Sequence, residues 1–393
     1  MTRLGRIERA EWFVLTHSMS APRGPSIWTY RSRECVLLKL TDTDGATGWG
    51  ETYLEPGVVA GIAGAGPFVV GRDALDANAI WRDAAAASGS SLAVSAISIA
   101  LDDLRSRRLG IPLAGLYGGP VRDRVRAYAS SAGYEVDGDR EVDPSETWRR
   151  DLPRLAAEGF TAIKLRVGRH PIRQELDAIE RARADLPEGV ELMADGNAAY
   201  DVPGAIAMGR GLERLGFAWF EEPSPQEGYA GYERIHAALD IALAGGEGIG
   251  ERREARAALE RDIFDIVQPD VSICGGVGEA QYIADLARLR GVGVIPHMWG
   301  GAVLLAATLQ LLAVLPDPTR SLSTFAPLLE YDTTENPFRT ELLAGPLEMR
   351  NGWFDIPAGP GLGVEVDEAQ VRARAAETGS LTAAGIPVAG VSS

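Results

Sequence analysis

The chain has 393 residues, 46% of them hydrophobic and 24% charged, a globular composition long enough for a barrel-sized domain and a second, smaller one. Its net charge of −16 and the lack of any Lys/Arg cluster exclude a polynucleotide-binding face, and an anionic substrate would have to find a locally positive site. Cys35 and Cys274 make no disulfide framework, no leader-like segment opens the chain, and the longest apolar stretch, Ala302 to Leu315, is interrupted by Gln310; a cytoplasmic protein without a membrane partner is expected.

Along the chain, Glu34–Thr41 and Thr47–Glu51 flank the turn sequence Asp42-Thr-Asp-Gly and predict a β-hairpin. Ser91–Arg108 has helical spacing and stops at Gly110-Ile-Pro112. Residues 1–124 therefore form an α+β segment. From Val125 the pattern alternates strand and helix. Strands are predicted at Arg126–Ser130, Ala162–Val167, Glu191–Asp195, Ala218–Glu221, Ile241–Glu247, Phe264–Pro269, Gly293–Pro296 and Ser321–Glu330, with amphipathic stretches such as Ile172–Ala184 and Gly278–Leu289 between them. Eight β-then-α units over residues 125–346, with no Gly-x-Gly-x-x-Gly after the first strand, favour an α/β fold of the TIM-barrel type over a doubly wound sheet. Residues 347–393 return to strand-and-turn character (Gly352-Trp-Phe-Asp-Ile, Gly359-Pro-Gly-Leu-Gly) and are expected to pack back on the N-terminal segment, the last fifteen or so loosely held.

Seven ionisable residues step through the predicted barrel at intervals of 23 to 33 residues: Lys164, Asp195, Glu221, Glu247, Asp270, His297 and Glu330. From Asp195 onward each closes or directly follows an apolar run, so the barrel would gather them at the C-terminal ends of its strands. A single acid there is equally well read as capping the following helix. Three on consecutive strands, Asp195, Glu221 and Glu247, suit a hard divalent cation such as Mg²⁺, leaving room for substrate oxygens. Asp270 and His297 on adjacent strands suit a carboxylate that fixes the tautomer of a general base. Lys164 and Arg166 share a face by the two-residue period of a strand; burial can lower a Lys pKa enough for base chemistry, whereas Arg166 can only orient or polarise. Glu330 either donates a hydrogen bond to an enolate oxygen, if protonated, or pairs with Lys164, if ionised. Asp332 reads as structural.

These residues, with Ile99-Ala-Leu-Asp-Asp-Leu-Arg, Leu116-Tyr-Gly-Gly, Ala194-Asp-Gly-Asn, Phe220-Glu-Glu-Pro, Gly245-Gly-Glu, Gln268-Pro-Asp and Pro296-His, resemble the mandelate racemase subgroup of the enolase superfamily over nearly the whole chain. Cys274-Gly-Gly, Pro296-His-Met-Trp-Gly and Leu329-Glu-Tyr-Asp-Thr-Thr-Glu-Asn-Pro-Phe-Arg are similar to members acting on sugar acids and their lactones, the lactone cycloisomerases above all. The resemblance implies an α+β capping domain, built from both ends of the chain, over a modified barrel. It implies one Mg²⁺ per site held by Asp195, Glu221 and Glu247, an Asp270–His297 base, a hydrogen-bond donor at Glu330, and removal of the proton α to a carboxylate. It also implies a homo-oligomer. Substrate contacts are expected at Asn197, at His17, Arg23 and Trp28 in the specificity loop His17–Tyr30, at Tyr53 in the second loop Trp49–Pro56, and at Trp299.

One departure matters. The subgroup carries Lys-x-Lys on the second strand, where this chain has Lys164-Leu-Arg166. Without a base at position 166, β-elimination by His297 (a cycloisomerase or an acid-sugar dehydratase) fits better than racemisation or epimerisation. The competing readings are a sugar-acid binding protein that kept the metal site and a metal-dependent aldolase on a barrel with no cap.

Overall fold

The computed structural model describes residues 5–138, 140–226, 229–317 and 326–383, and the backbone of 388–390. Strands Ile7–Gly24, Tyr30–Asp42 and Thr47–Tyr53 form an antiparallel meander. Helix Ser91–Leu109 lies on it. The Ser90 hydroxyl accepts the Ala93 N–H at 3.3 Å to start this helix, and Gly110 ends it at φ 69°, a left-handed turn that glycine adopts without strain. The hairpin sequence Gly48-Trp-Gly50 is what lets the helix close in: a Cβ at either glycine would collide with the backbone oxygen of Ala100 or Ala96. Trp12, Val36, Leu38, Leu40, Ile97, Leu101 and Leu104 fill the layer between sheet and helix.

Eight parallel strands follow: Arg124–Ala132, Ala162–Arg166, Glu191–Asp195, Trp219–Glu221, Ala242–Gly245, Ile266–Val267, Gly293–Val294 and Leu329–Tyr331. The first seven pair in chain order, and the eighth pairs with the first, Glu330 opposite Tyr128. Helices such as Ile172–Arg183, Val277–Leu289 and Ala302–Val314 cover the outside. Inside, one cluster takes a residue from, or next to, every strand: Tyr128, Ala162, Met193, Trp219, Ala244, Ile266, Ile295 and Leu328. This apolar floor shows that the strands close around a common axis. The pleat then puts Lys164 above Ala162, Asp195 above Met193, Glu221 above Trp219 and Glu330 above Leu328, all facing inward at the C-terminal ends. This is a TIM-type barrel under an α+β cap.

Three segments differ from the sequence reading. His17–Gly24 is not loop but the end of the long first strand, leaving only Pro25–Thr29 as the connection. Gly379–Thr382 is not loosely held: strand Ala375–Thr382 pairs antiparallel with Ile7–Gly24, and Gly379 lies flat against the Trp12 ring, where a side chain would clash. Trp353–Asp355 packs not on the cap but antiparallel to Arg124–Ala132, at the N-terminal rim of the barrel; the neighbouring Leu362, whose N–H bonds Asp103 Oδ1 at 2.7 Å, does reach the cap helix. The predicted last strand lies outside the described residues over 321–325, and its described part is Leu329–Tyr331.

Candidate active site

The second barrel strand delivers two cations into the mouth. Lys164 Nζ lies 2.5 Å from Glu221 Oε1, 2.8 Å from Glu330 Oε1 and 3.4 Å from Asp195 Oδ2, with no solvent exposure. Arg166 bonds Asp195 Oδ2, Asn197 Oδ1 at 3.1 Å and the Ser130 hydroxyl at 3.3 Å, and its guanidinium sits 4.9 Å from the Trp299 ring centroid. Burial opposes the charge on Lys164, but Glu221, Glu330 and Asp195 outweigh it and hold its pKa above the ordinary value. Desolvation acts on this lysine, but the three carboxylates outweigh it. Burial likewise opposes Arg166, and Asp195 and Glu330 raise it. Burial alone would push Glu330 up; Lys164, His297 and Arg166 pull it down to about 2. Of the two roles open to Glu330, its 2.8 Å contact with Lys164 favours the ion pair. Its other contacts are the Ser130 hydroxyl at 2.5 Å and the Met298 N–H at 3.2 Å.

Across the mouth, His297 Nδ1 is 2.7 Å from Asp270 Oδ2, and its Nε2 is 3.5 Å from Glu247 Oε2. Burial disfavours the imidazolium, yet Glu247, Glu330 and Asp270 together raise His297 to about 10. Asp270 is fully buried and saturated with donors. Its Oδ1 takes the Ser272 N–H and hydroxyl, each at 2.7 Å, and its Oδ2 takes Tyr53 OH, also at 2.7 Å, besides the imidazole.

Asp195, Glu221 and Glu247 come from three neighbouring strands, as expected. Gln268 Nε2 donates to Glu221 Oε2 at 2.8 Å and Trp219 Nε1 to the same oxygen at 3.3 Å. Burial raises Glu221, and the nearby charges of Asp195, Glu330 and Glu247 add to it; burial raises Glu247 too, with His297 opposing. Among the described residues no three such side chains stand ready to hold an ion as they are. Asp195 and Glu221 are turned to Arg166 and Lys164 instead. The donor chemistry nonetheless fits a hard divalent cation: three carboxylates, with Glu330 and Asp270 close by, outnumber the two permanent cations in a buried space. The loops after these strands are strained: Asn197, Ala198 and Glu222 all have positive φ (44°, 61° and 35°), a concentration of uncommon conformations where strand ends meet the mouth.

The structure thus brings together Lys164, Arg166, Asp195, Asn197, Glu221, Glu247, Asp270, His297, Trp299 and Glu330. His17 and Arg23 are engaged elsewhere. His17 Nε2 lies 2.8 Å from Glu335 Oε1, and Arg23 bonds Asp151 Oδ2 at 2.6 Å and Glu135 Oε2 at 2.8 Å. Trp28 is 44% exposed and rests edge-on against Tyr30. Tyr53 faces Asp270 rather than open space. Sequence reasoning passed over Tyr30, whose ring lies 6.1 Å from that of Trp299, together with Ser130 and Gln268. Ser130 lies two residues before the end of the first barrel strand, whose terminus carries no ionisable residue to mark it, and Gln268 is an uncharged residue two before Asp270.

Residues 148–370 match the enolase C-terminal domain-like model, and residues 9–118 match the mandelate racemase / muconate lactonizing enzyme N-terminal domain. The chain belongs to the enolase superfamily. This enolase-superfamily member is 36% identical to the D-galactarolactone cycloisomerase of Agrobacterium fabrum, over 92% of this chain and 97% of that one. The 3,6-anhydro-D-galactonate cycloisomerase of Zobellia galactanivorans has a similar structure (TM-score 0.82, 30% identity, 94% and 99% of the two chains). So does the L-talarate/galactarate dehydratase of Salmonella typhimurium (TM-score 0.83, 27% identity, 96% and 93%). A mutant of an L-talarate/galactarate dehydratase has been solved liganded with Mg and L-glucarate. The superfamily member described here is an enzyme. No helix among its described residues is long and apolar enough to cross a membrane.

Proposed function

We propose that this enzyme removes the proton α to the carboxylate of a sugar acid or its lactone and then eliminates the β-oxygen, acting as a cycloisomerase. The observation that carries the reading is the His297–Asp270 pair, 2.7 Å apart, on the opposite side of the mouth from Lys164 and Arg166. In its neutral form His297 Nε2 takes the α-proton; a cation held by Glu247 would offset the carboxylate charge that raises the imidazole's pKa. The C–H electron pair enters an enediolate, whose negative charge Lys164 and Arg166 oppose. The β C–O bond then breaks and its electron pair leaves with the oxygen. From a lactone this gives a carboxylate and opens the ring; from a hydroxy acid the departing oxygen takes the proton back from His297 and leaves as water. The enol then ketonises, so atoms balance with no co-reactant.

Asp195, Glu221 and Glu247 are the residues that would hold one Mg²⁺. When bound, it supplies a hard positive charge for the carboxylate oxygens on which charge develops. Asn197 and Trp299 line the substrate position beside Arg166. Racemisation is disfavoured, because Arg166 stands where a second base would be needed and a guanidinium does not give up its proton. Water elimination from an open-chain acid is the second reading, favoured by the dehydratase among the similar structures. We assign the cap to residues 1–124 and the barrel to 125–346, with 347–393 returning to the cap after Met349–Asp355 has joined the barrel sheet, and expect a homo-oligomer.

The test is incubation with aldonic and aldaric acids and their lactones in D₂O with Mg²⁺. Expected are keto acid, trapped as a semicarbazone, and consumption of a lactone faster than of the matching open acid. α-Deuteration without net product would favour epimerisation. Binding with no exchange from any substrate would leave only a binding protein.

A further inference from the structure

Three consecutive residues at the end of the cap strand Thr47–Tyr53 each bond to a different part of the barrel loops that carry the base. Glu51 is fully buried; its carboxylate accepts the Gly301 N–H at 2.5 Å and the Leu304 N–H at 2.9 Å, at the start of helix Ala302–Val314, which follows directly on the His297 loop. The Thr52 hydroxyl donates to the Ser272 carbonyl at 2.9 Å. Tyr53 OH donates to Asp270 Oδ2 at 2.7 Å and accepts the Trp299 N–H at 3.1 Å. The two barrel loops, 270–274 and 297–301, are therefore joined through the cap as well as through the His297–Asp270 bond.

The bonding at Tyr53 decides what its hydroxyl can do. Its single proton is given to Asp270, and one of its lone pairs is taken by Trp299, so no proton is left for a substrate. The Asp270 oxygen that it holds is the one that holds His297 Nδ1, so the imidazole's direction is set by a carboxylate whose own rotation is fixed from the cap. Short, charge-assisted bonds of this kind fix geometry strongly inside a dry site.

We infer that Tyr53, supported by Thr52 and Glu51, is a positioning residue of the general base: the cap completes the His297–Asp270 pair, and Tyr53 acts through Asp270 rather than by touching substrate. The inference rests on the proton-abstraction reading of the site. It makes the cap strand part of the catalytic apparatus, so that cap and barrel must be docked for the imidazole to be aimed.

The experiment is a double-mutant cycle with Tyr53→Phe and Asp270→Asn, scored by kcat, KM, α-proton exchange in D₂O and thermal unfolding of the full chain with Mg²⁺. Tyr53→Phe is expected to lower kcat and exchange about 10- to 100-fold, the size of loss seen when the partner that orients a metal-ligating histidine is removed, with KM changed less than about two-fold and melting little altered. In the Asp270→Asn background the same change should have no further effect on kcat, because its route is already cut. Thr52→Val should give a smaller loss of the same kind. If Tyr53→Phe raises KM and spares kcat, the hydroxyl binds substrate and the inference falls. If its kcat loss persists in full in Asp270→Asn, the inference falls also. If wild-type protein exchanges no α-proton with any sugar acid or lactone, it is the underlying reading that fails.

Discussion

Two layers of the same eight strands, one pleat apart, have opposite character. The floor, Tyr128, Ala162, Met193, Trp219, Ala244, Ile266, Ile295 and Leu328, is apolar, with Leu328 the most exposed at 7%. The layer above it is almost wholly ionic or hydrogen-bonding: Ser130, Lys164, Asp195, Glu221, Gln268, His297 and Glu330. The backbone is continuous through both, so the difference is one of side chains alone. It teaches that the barrel separates what holds it together from what it does over a single two-residue step. Burying three carboxylates and the Lys164 ammonium is unfavourable unless each finds a partner, and the floor supplies the burial that offsets it.

Changes in the upper layer should have the largest effects. His297→Asn should abolish α-proton exchange, a loss of about 10²- to 10⁴-fold, while thermal unfolding moves little; a comparable loss of melting temperature would mean that the mouth is structural after all. Chelating the metal with EDTA should also remove activity, restored by Mg²⁺ but not by a monovalent salt, with the far-UV circular dichroism unchanged. Persistence of exchange in exhaustively chelated protein would refute the assignment of Asp195, Glu221 and Glu247. The converse change in the floor, Met193→Ala, should cost about 2–5 kcal/mol of stability and leave KM near its original value, since it removes buried volume two residues below Asp195. Urea titration would check it.

Glu51 tests the seam between cap and barrel. Burial raises its pKa from 4.5 to about 7, against the backbone N–H groups of Leu304 and Gly301, which lower it. A carboxyl with a folded pKa above its unfolded one keeps its proton longer in the folded state. Its stabilising contribution is thus present below pH 4.5 and is lost as pH rises through about 7, by up to about 3 kcal/mol. Melting temperature should therefore fall between pH 5 and 8, and Glu51→Gln should flatten that slope; an unchanged slope would assign the effect to other groups. The smallest effect belongs at the rim. His17→Ala breaks only a partly exposed pair with Glu335, worth no more than about 1 kcal/mol, and KM should stay within about two-fold. A large rise in KM would return His17 to the substrate contacts.

Much of the upper layer was legible because a barrel advances one strand per regular interval and its strands alternate faces. Lys164 and Arg166 could be put on one face, and Asp195, Glu221, Glu247, Asp270, His297 and Glu330 at strand ends, from periodicity and spacing alone. What escaped depends on contacts between residues far apart in the chain. Tyr53 reads as a loop aromatic until Asp270 is seen 2.7 Å from its hydroxyl. The sign of the Lys164 pKa shift needed the positions of three carboxylates, not merely burial. The small, polar tail Gly379–Thr382 lacks a strand's usual apolar run; it is ordered because it completes a sheet begun at Ile7, a partner that no local pattern announces.

That last pairing has a consequence for biogenesis. A ribosome releases Ile7–Gly24 several hundred residues before Ala375–Thr382 exists to cover it, so this edge of the sheet waits unzipped while the barrel is being made. Truncating the chain after residue 374 would leave that edge permanently bare, and self-association, rather than simple loss of a tail, is the defect to look for.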